Sequence, residues 1–286
     1  MTDADGRVAV ITGATDGIGL ASASELARRG WRVVVVSRNP DRCAAAVARI
    51  INDAGRPDAA LAVPADLTSL HATADAIAQI RSRVDRLDLL PLNANVIAHE
   101  HTLTPEGHEA NLAIGLHTRV LLTVGLEGLL RRTPGAQILG VVGQALDRFD
   151  TPDADFTTGY AAMAAVGRWQ WAWQVWARTY AAQVPLLVNT YMPGLVRTKV
   201  LLGDPHPERR TQLEAMIATQ AITVEESALD VARVVDQVRQ TSMTHRYLAI
   251  GQAPVTRALG SAAGDAQAVW RLTQSAVGPL LAPPRA

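Results

Sequence analysis

The 286-residue chain carries 27 basic and 27 acidic side chains, so its formal net charge is zero, and 48% of its residues are hydrophobic. This neutral balance argues against nucleic acid as a partner and against an electrostatic membrane anchor, and no apolar run approaches the roughly 18 to 20 residues of a transmembrane helix. With one cysteine (Cys43) and no apolar segment behind Asp3 and Asp5, we expect a cytoplasmic protein without a signal peptide, a disulfide framework, a metal site or a membrane partner.

Short β-branched runs alternate with longer alanine-rich amphipathic stretches along the first 200 residues. Strands are predicted at 8–12, 32–37, 60–64, 87–92, 137–142, 186–190 and 246–250. Helices are predicted near 17–29, 40–54, 69–84, 107–132, 159–182, 224–240 and 264–275. This rhythm predicts a single α/β domain over 1–286, with a doubly wound, Rossmann-like parallel sheet of about seven strands and helices on both faces. A loop region with one or two short helices follows Pro193, and residues from about 276 to 286 are expected to form a mobile tail.

A glycine-rich turn, Thr12-Gly13-Ala14-Thr15-Asp16-Gly17-Ile18-Gly19, follows the first strand and opens the first helix. Such glycines allow a tight turn and let the backbone approach a pyrophosphate at a helix N-terminus. A glycine pattern alone also fits an ordinary strand-to-helix turn. Its place in a βαβ unit favours dinucleotide binding.

The spacing of these glycines resembles the fingerprint of the short-chain dehydrogenase/reductase family, and the resemblance extends over most of the chain. Arg38, in Ser37-Arg38-Asn39, resembles the corner at which an arginine pairs with the 2′-phosphate of NADP(H). A solvated loop arginine is the alternative, and NAD(H) stays open as the cofactor. Asn95 departs from the family, which keeps a glycine there. The resemblance implies these cofactor-binding residues: Gly13, Thr15, Asp16, Gly17, Ile18, Gly19, Ser37, Arg38, Asn39, Asp66, Leu67, Asn93, Ala94, Pro193, Gly194 and Thr198.

The catalytic half of the family pattern is largely missing. The family uses a tyrosine, a lysine four residues later, a serine and an asparagine. Tyr160 matches the tyrosine, but Ala164 stands at the lysine position and Gly143 at the serine position. In an alignment with the retinol-dehydrogenase-like branch, Gly115 stands at the asparagine position, and Asn111 lies one turn earlier. Lowering a tyrosine pKa from about 10 to near 7 requires roughly 4 kcal/mol, so without the lysine we expect Tyr160 to be a poor base that could still donate a proton.

Other polar groups near the expected site could replace the missing ones. His99 and His101 follow the fourth predicted strand at the sheet edge where ligands bind, and a solvated loop is the alternative. The segment 147–156 carries four aspartates that either face a cationic or hydroxyl-rich ligand or are solvated. His108 and His117 are expected to pack or to lie at the surface.

A stripe of tryptophans marks the helix predicted near 159–182, because Trp169, Trp173 and Trp176 share one helical face. Related proteins commonly dimerise through this helix and the preceding one. We therefore predict a homodimer or homotetramer formed by the helices near 107–132 and 159–182, with the stripe as its anchor. The alternative is that the stripe packs in the core of its own chain.

Three functions follow from these observations. The first is an NADP(H)-dependent oxidoreductase that reduces a ketone or enone of a bulky small molecule, with Tyr160 as the remaining acid. The second is a repurposed enzyme that catalyses a non-redox step such as cyclisation, dehydration or isomerisation in a pocket enlarged by the missing side chains. The third is a non-catalytic binding subunit. Substrate contacts are expected in loops, including a lid at about 195–220.

Overall fold

A computed structural model of the chain describes residues 6–143, 152–201, 207–251 and 263–281. It contains a seven-stranded sheet in the order β3-β2-β1-β4-β5-β6-β7, and every pair of neighbouring strands is parallel. The strands are β1 (Val8–Thr12), β2 (Arg32–Ser37), β3 (Ala60–Pro64), β4 (Leu89–Leu92), β5 (Gln137–Val141), β6 (Leu187–Met192) and β7 (Tyr247–Ala249). The predicted doubly wound parallel sheet is confirmed.

Ten α-helices occur in these described ranges. They are α1 (Gly17–Arg28), α2 (Pro40–Ala54), α3 (Leu70–Arg83), α4 (Ala110–Leu112), α5 (Thr118–Gly125), α6 (Glu127–Arg131), α7 (Ala162–Ala181), α8 (Pro207–Gln220), α9 (Val224–Thr241) and α10 (Ala263–Leu281). A π-helical turn, Ala113–His117, joins α4 to α5. Side chains cap many of these helices. Asn39 accepts a hydrogen bond from the Arg42 amide at the start of α2, and Thr223 forms a capping box with Glu226 at the start of α9.

The central strands are buried on both faces, because the helices form a layer on each side of the sheet. Every residue of β1 and β4 is buried. Alternate residues of β1 point to two separate apolar clusters: Val8 and Val10 join the one beneath α3, α5, α7 and α10, while Ala9 and Ile11 join the one beneath α1, α2 and α9. The strand order reverses between β1 and β4, so a crevice opens at their carboxyl ends, where such sheets bind ligands.

Two predicted helices differ from the observed ones. The stretch near 107–132 is divided into α4, the π-helical turn, α5 and α6, and the stretch near 159–182 begins as a helix only at Ala162. The chain also remains helical through Leu281, so residues 276–281, which we expected in a mobile tail, belong to α10. The physical reason is a buried stripe at helical spacing, Val269, Thr273 and Val277, that holds α10 against the body of the protein.

The tryptophan stripe lies inside its own chain. Trp169, Trp173 and Trp176 are each no more than 1% exposed, and Trp270 of α10 stacks on Trp176 with ring centroids 5.9 Å apart. Side chains that are already buried cannot be the anchors of an interface, so our interpretation of the stripe was wrong and the core alternative is correct. Because α10 packs against α5 and α7, a dimer built from those helices would have to include α10. The oligomeric state itself stays a prediction.

Candidate functional site

A cleft of about 700 Å³ opens at the carboxyl ends of the central strands. It runs from the glycine-rich turn after β1, past the ends of β2 and β3, to the loops after β4, β5 and β6. All of the predicted cofactor residues except Gly19 and Asn39 line it. The fold thus brings residues that are up to 185 positions apart in the chain, Gly13 and Thr198, into the lining of one cleft.

The glycine turn has the geometry that its sequence predicts. Gly13 and Gly17 adopt positive φ angles of +69° and +51°, a region that side chains disfavour. A Cβ added to Gly19 would overlap the Gly13 carbonyl, so Gly19 acts by close packing rather than by facing the cleft. The Asp16 carboxylate accepts a hydrogen bond of 2.8 Å from the Gly17 amide and caps α1. Together these residues leave a bare backbone at a helix N-terminus, the arrangement that suits a pyrophosphate.

Thr12 joins this turn to the loop after β4. Its hydroxyl accepts hydrogen bonds from the Asn93 amide at 2.9 Å and the Ala94 amide at 3.0 Å. The Asn93 side chain in turn donates to the Thr12 carbonyl at 3.2 Å. Asn95, which departs from the family pattern, lines the cleft while its side-chain oxygen accepts a bond from the Val96 amide. These hydrogen bonds fix the end of β1 to the loop after β4 at the floor of the cleft.

The corner after β2 presents two arginines to the cleft. Arg38 is exposed at the rim, and Asn39 is not a lining residue because its side chain caps α2. Arg42, which the sequence reasoning missed, also lines the cleft, and its guanidinium lies 3.0 Å from the Asp16 carboxylate. Its position one helical turn beyond Arg38 is the signal that could have identified it. Two guanidinium groups at this corner suit a phosphate better than a free ribose hydroxyl.

Tyr160 does not line the cleft, although we expected it to face the cofactor. It precedes α7, and its hydroxyl donates to the Ala98 carbonyl at 2.5 Å while it accepts a hydrogen bond of 2.8 Å from the Asn111 side chain. Asn111 also bonds the Ala98 amide through its oxygen. The buried Glu109 carboxylate lies 3.3 Å from the tyrosine hydroxyl. This network ties the loop after β4 to the start of α7.

The surroundings of Tyr160 oppose its ionisation. Burial and the neighbouring charge of Glu109 raise the pKa of Tyr160 to about 12. A tyrosine that acts as an acid–base group in this family needs a shift in the opposite direction. Asn111, the residue considered as a substitute for the missing asparagine, is fully buried in the same network and does not reach the cleft.

The three positions at which we predicted that a family residue is missing have different surroundings. A Cβ added to Gly115 would overlap the Trp169 ring, so the indole fills that space. Ala164 does not line the cleft, and only Gly143 opens into it. The expectation that all three positions enlarge the pocket therefore holds for Gly143 alone, because Trp169 occupies the space beside Gly115.

Neither candidate histidine, His99 or His101, lines the cleft, and His108 and His117, which we expected to pack or to lie at the surface, lie outside its lining as well. His101 bonds the Asp155 carbonyl and packs edge-on against Tyr160, and His99 is half-buried in the same loop. His108 lies 3.5 Å from the Asp155 carboxylate and packs against His117, whose complete burial lowers its pKa to about 3. Of the acidic segment 147–156, residues 147–151 lie outside the described residues. Asp153 accepts a bond from the nearby Thr157 amide, whereas Asp155 accepts one from the Glu109 amide at the start of α4.

A buried arginine supports the floor of the cleft. Arg119 on α5 is 2% exposed, and its guanidinium donates to the Val141 carbonyl at 2.8 Å and the Ala94 carbonyl at 3.4 Å. The rings of Trp169 and Trp173 cover it, with centroids 4.7 Å and 5.5 Å from its Cζ. Burial lowers the pKa of Arg119 to about 9. The arginine thus holds the end of β5 against the loop after β4.

The face of α7 that borders the cleft carries Met163, Gly167 and Gln170. These residues lie at i, i+4 and i+7, so they share one face of the helix. The first of them, Met163, lies three residues after Tyr160. The sequence reasoning missed them because it placed the family tyrosine at Tyr160. Gln170 is 4% exposed, and among the described residues its Oε1 has no hydrogen-bond partner.

The described part of the chain contains no group of three or more His, Cys, Asp or Glu residues arranged to hold a metal ion. Over the same ranges, no helix has both the length and the apolar character needed to cross a bilayer.

A doubly wound parallel sheet with a glycine-rich turn at its switch point is the architecture of the Rossmann-like class of proteins. The chain belongs to the short chain dehydrogenase family, whose model matches residues 7–205. Members of this family are generally oxidoreductases that bind nicotinamide cofactors. The predicted family membership is therefore confirmed.

Two relatives and one solved structure illustrate the likeness. A Streptomyces sp. (strain C5) protein named as a daunorubicin C-13 ketoreductase is 34% identical over 203 residues, which are 69% of this chain and 69% of that protein. Homo sapiens retinol dehydrogenase 13 is 28% identical over 201 residues, which are 68% of this chain and 60% of that protein. The structure of L-sorbose reductase from Gluconobacter frateurii, complexed with NADPH and L-sorbose, matches with a TM-score of 0.68 at 23% identity and covers 87% of this chain and 96% of that one. This last likeness is one of fold.

Proposed function

We propose that this protein is an NADP(H)-dependent reductase of a ketone or enone in a bulky small molecule. The observation that carries the proposal is the continuous cleft. It joins the glycine turn and the arginine corner to the apolar part of the cleft beside Gly143, here called the chamber, which Val142, Met163 and Val166 line. A relative of 34% identity is named as a ketoreductase. NADPH would supply the hydride, solvent water would supply the proton to the resulting alkoxide, and the chain would supply the surfaces that hold both molecules.

The residues at the nucleotide end fit the proposed cofactor. Gly13, Gly17 and the Asp16-capped start of α1 suit the pyrophosphate, and Arg38 and Arg42 suit a 2′-phosphate. Thr198 and the Pro193-Gly194 turn close the other end of the cleft. We propose that Tyr160 holds the loop after β4 in place instead of donating the proton, because its hydroxyl bonds the Ala98 carbonyl outside this cleft.

A non-redox reaction is the second candidate. Among the described residues that line the cleft there is no tyrosine, histidine or cysteine. The acid–base groups that do line it have other partners, since Lys199 lies 3.8 Å from Asp16 and Asp66 accepts a hydrogen bond from Thr68. A dedicated proton donor for a ketone is therefore not evident in this lining. A reaction that needs orientation and solvent exclusion more than a protein acid would tolerate this lining. A cyclisation or isomerisation of a bulky substrate meets that description.

Cofactor titrations test the nucleotide part of the proposal. We expect wild-type protein to bind NADPH more tightly than NADH, as measured by the change in nicotinamide fluorescence. Arg38→Ala should weaken NADPH binding about 10- to 100-fold, the value of a charge-assisted contact, and leave NADH binding nearly unchanged. Arg81→Ala, an exposed arginine of α3 outside the cleft, is the matched control. Equal weakening of both nucleotides, or a preference for NADH, would contradict NADP(H) as the cofactor.

Isotope transfer separates the two candidate reactions. With NADPH that carries deuterium at the transferable position and a panel of aryl ketones and enones, reduction places deuterium in the product and consumes the cofactor. Substrate conversion without deuterium transfer would favour the non-redox candidate. Tight NADPH binding with no conversion of any kind would favour a non-catalytic subunit.

A further inference from the structure

We infer that Gln170 holds the reacting oxygen of the substrate, in place of the missing serine hydroxyl. The inference rests on the proposed function and identifies the polar group that orients a carbonyl in the chamber. Gln170 lies on α7, is only 4% exposed, and lines the cleft beside Gly143.

The position of the Gln170 amide follows from the glycine at 143. A Cβ added to Gly143 would lie 3.3 Å from Oε1 and 3.5 Å from Nε2 of Gln170. The amide therefore borders the space into which a side chain at residue 143 would project. A residue at 143 with a hydroxyl group would bond this amide and remove it from any ligand, whereas glycine leaves it open to the cleft.

The hydrogen-bonding state of Gln170 points to a ligand. Its Oε1 is buried without a partner within the described residues, a condition that costs about 1–3 kcal/mol and is uncommon in folded proteins. The neighbouring Gln174, one turn further along α7 and 5% exposed, instead donates to the Gln170 backbone carbonyl at 3.2 Å. Gln174 and Gln170 are both buried, but the Gln174 side chain is hydrogen-bonded within its own helix, whereas the Gln170 side chain borders the cleft.

An amide suits both members of a ketone–alcohol pair. Its NH₂ group can donate to a carbonyl oxygen, and its oxygen can accept from the hydroxyl of the alcohol. The surrounding lining is apolar, with Val142, Met163 and Val166 beside it. We therefore expect a ligand with a flat or bulky apolar body and one carbonyl or hydroxyl oxygen directed at Gln170.

The test compares 9-fluorenol, whose hydroxyl can donate to the unpartnered Oε1, and 9-fluorenone, whose carbonyl can accept from the NH₂ group, with fluorene, which has the same ring system and no oxygen. Binding is measured by calorimetry, with NADPH-saturated protein for fluorenol and NADP⁺-saturated protein for fluorenone, so that neither complex can react. Wild type is expected to prefer each oxygen-bearing ligand over fluorene by about three- to tenfold, the value of one net hydrogen bond. Gln170→Leu should abolish this preference, and Gln174→Leu, the matched control, should retain it. A preference that survives Gln170→Leu, or no preference in wild type, would overturn the inference.

Infrared spectroscopy of wild-type protein gives a second measurement that needs no variant. The carbonyl stretching band of bound fluorenone should shift to lower frequency than in an apolar solvent, because a hydrogen bond weakens the C=O bond. A band at the apolar position would refute the role of Gln170. NADP⁺ binding is measured separately in the same samples, so failure of cofactor binding counts against the proposed function, whereas normal cofactor binding without a carbonyl preference counts against Gln170 alone.

Discussion

At the scale of single residues, Tyr160 shows how a side chain from the expected motif can serve a different purpose. Its hydroxyl bonds the Ala98 carbonyl and the Asn111 side chain, and Glu109 lies beside it. A carboxylate next to a tyrosine favours the neutral form of the phenol. The residue is thus suited to holding a loop and unsuited to accepting a proton near neutral pH.

Tyr160→Phe tests this assignment. Loss of the hydroxyl leaves the Ala98 carbonyl without its partner and removes one of the two acceptors of the Asn111 NH₂ group, which still donates to Glu109. The free energy of unfolding in urea should therefore fall by about 1–3 kcal/mol. NADPH affinity should not change, and the rate with any ketone that the wild type reduces should fall less than tenfold. Loss of a proton donor would instead cost about 10²- to 10⁴-fold in rate, and such a loss with unchanged stability would contradict the structural role.

The same variant has a pH signature. The pKa of Tyr160 is raised to about 12 from its usual 10 in the folded protein. The unfolded chain therefore loses the phenol proton first, so the stability that Tyr160 contributes is fully present below pH 10 and is lost as the pH rises toward 12. The stability difference between wild type and Tyr160→Phe should therefore shrink over that interval. Urea denaturation at several alkaline pH values measures it.

At the scale of elements, the packing of α7 against the π-helical turn explains why residue 115 is a glycine. Gly115 lies in that turn directly against Trp169, and Trp173 lies against Gly140 of β5. Large rings on one element are thus matched by glycines on two others. Glycine at position 115 is a packing requirement of this core, and this requirement explains the residue without any reference to catalysis.

Gly115→Ala should therefore be unusually costly for so small a change. The added methyl group overlaps the Trp169 ring, and overpacking of this kind typically costs about 1–3 kcal/mol. Gly128→Ala in α6 is the matched control, because the nearest atom to its added Cβ is Arg132 Nη1 at 3.8 Å, and it should gain about 0.5–1 kcal/mol from helix propensity. Urea denaturation of both variants checks the difference, and equal stability of the two would contradict the packing argument.

At the scale of the whole molecule, α10 completes the layer of helices over α3, α5 and α7. Its buried face carries Val269, Thr273 and Val277, and Trp270 extends the ring stack of Trp176 and Tyr180. The helix thus covers apolar surface that would otherwise face solvent. Any contact with a second copy on this side would involve the outer face of α10.

Val269→Asp tests the covering role of α10. A carboxylate at a fully buried position is expected to lower the free energy of unfolding by about 3 kcal/mol or more, or to release the helix from the body. Release would expose a large apolar face, so sedimentation should show increased self-association and the tryptophan fluorescence should shift to the red. Gln267→Asp, on the exposed side of α10, should change neither property. If the two variants behave alike, the docking of α10 does not cover this surface.

The sequence by itself determined the order of the elements, the parallel sheet and the location of the nucleotide turn. These features depend on local signals: β-branched runs, helix caps and glycines at fixed spacing, which act within a few residues of one another. Most of the cofactor residues that the family resemblance implied do line the cleft.

Only the tertiary structure decided which side chains face the chemistry. Whether Tyr160 points into the cleft, whether Trp169 fills the space beside Gly115, and whether the tryptophan stripe lies inside the chain all depend on contacts between elements distant in sequence. The chain's single lysine is Lys199, so the alanine at position 164 was visible in the sequence. The position of the buried Gln170 at the cleft beside Gly143 was not. Side-chain direction is set by packing, and packing is a property of the assembled layers rather than of any one segment.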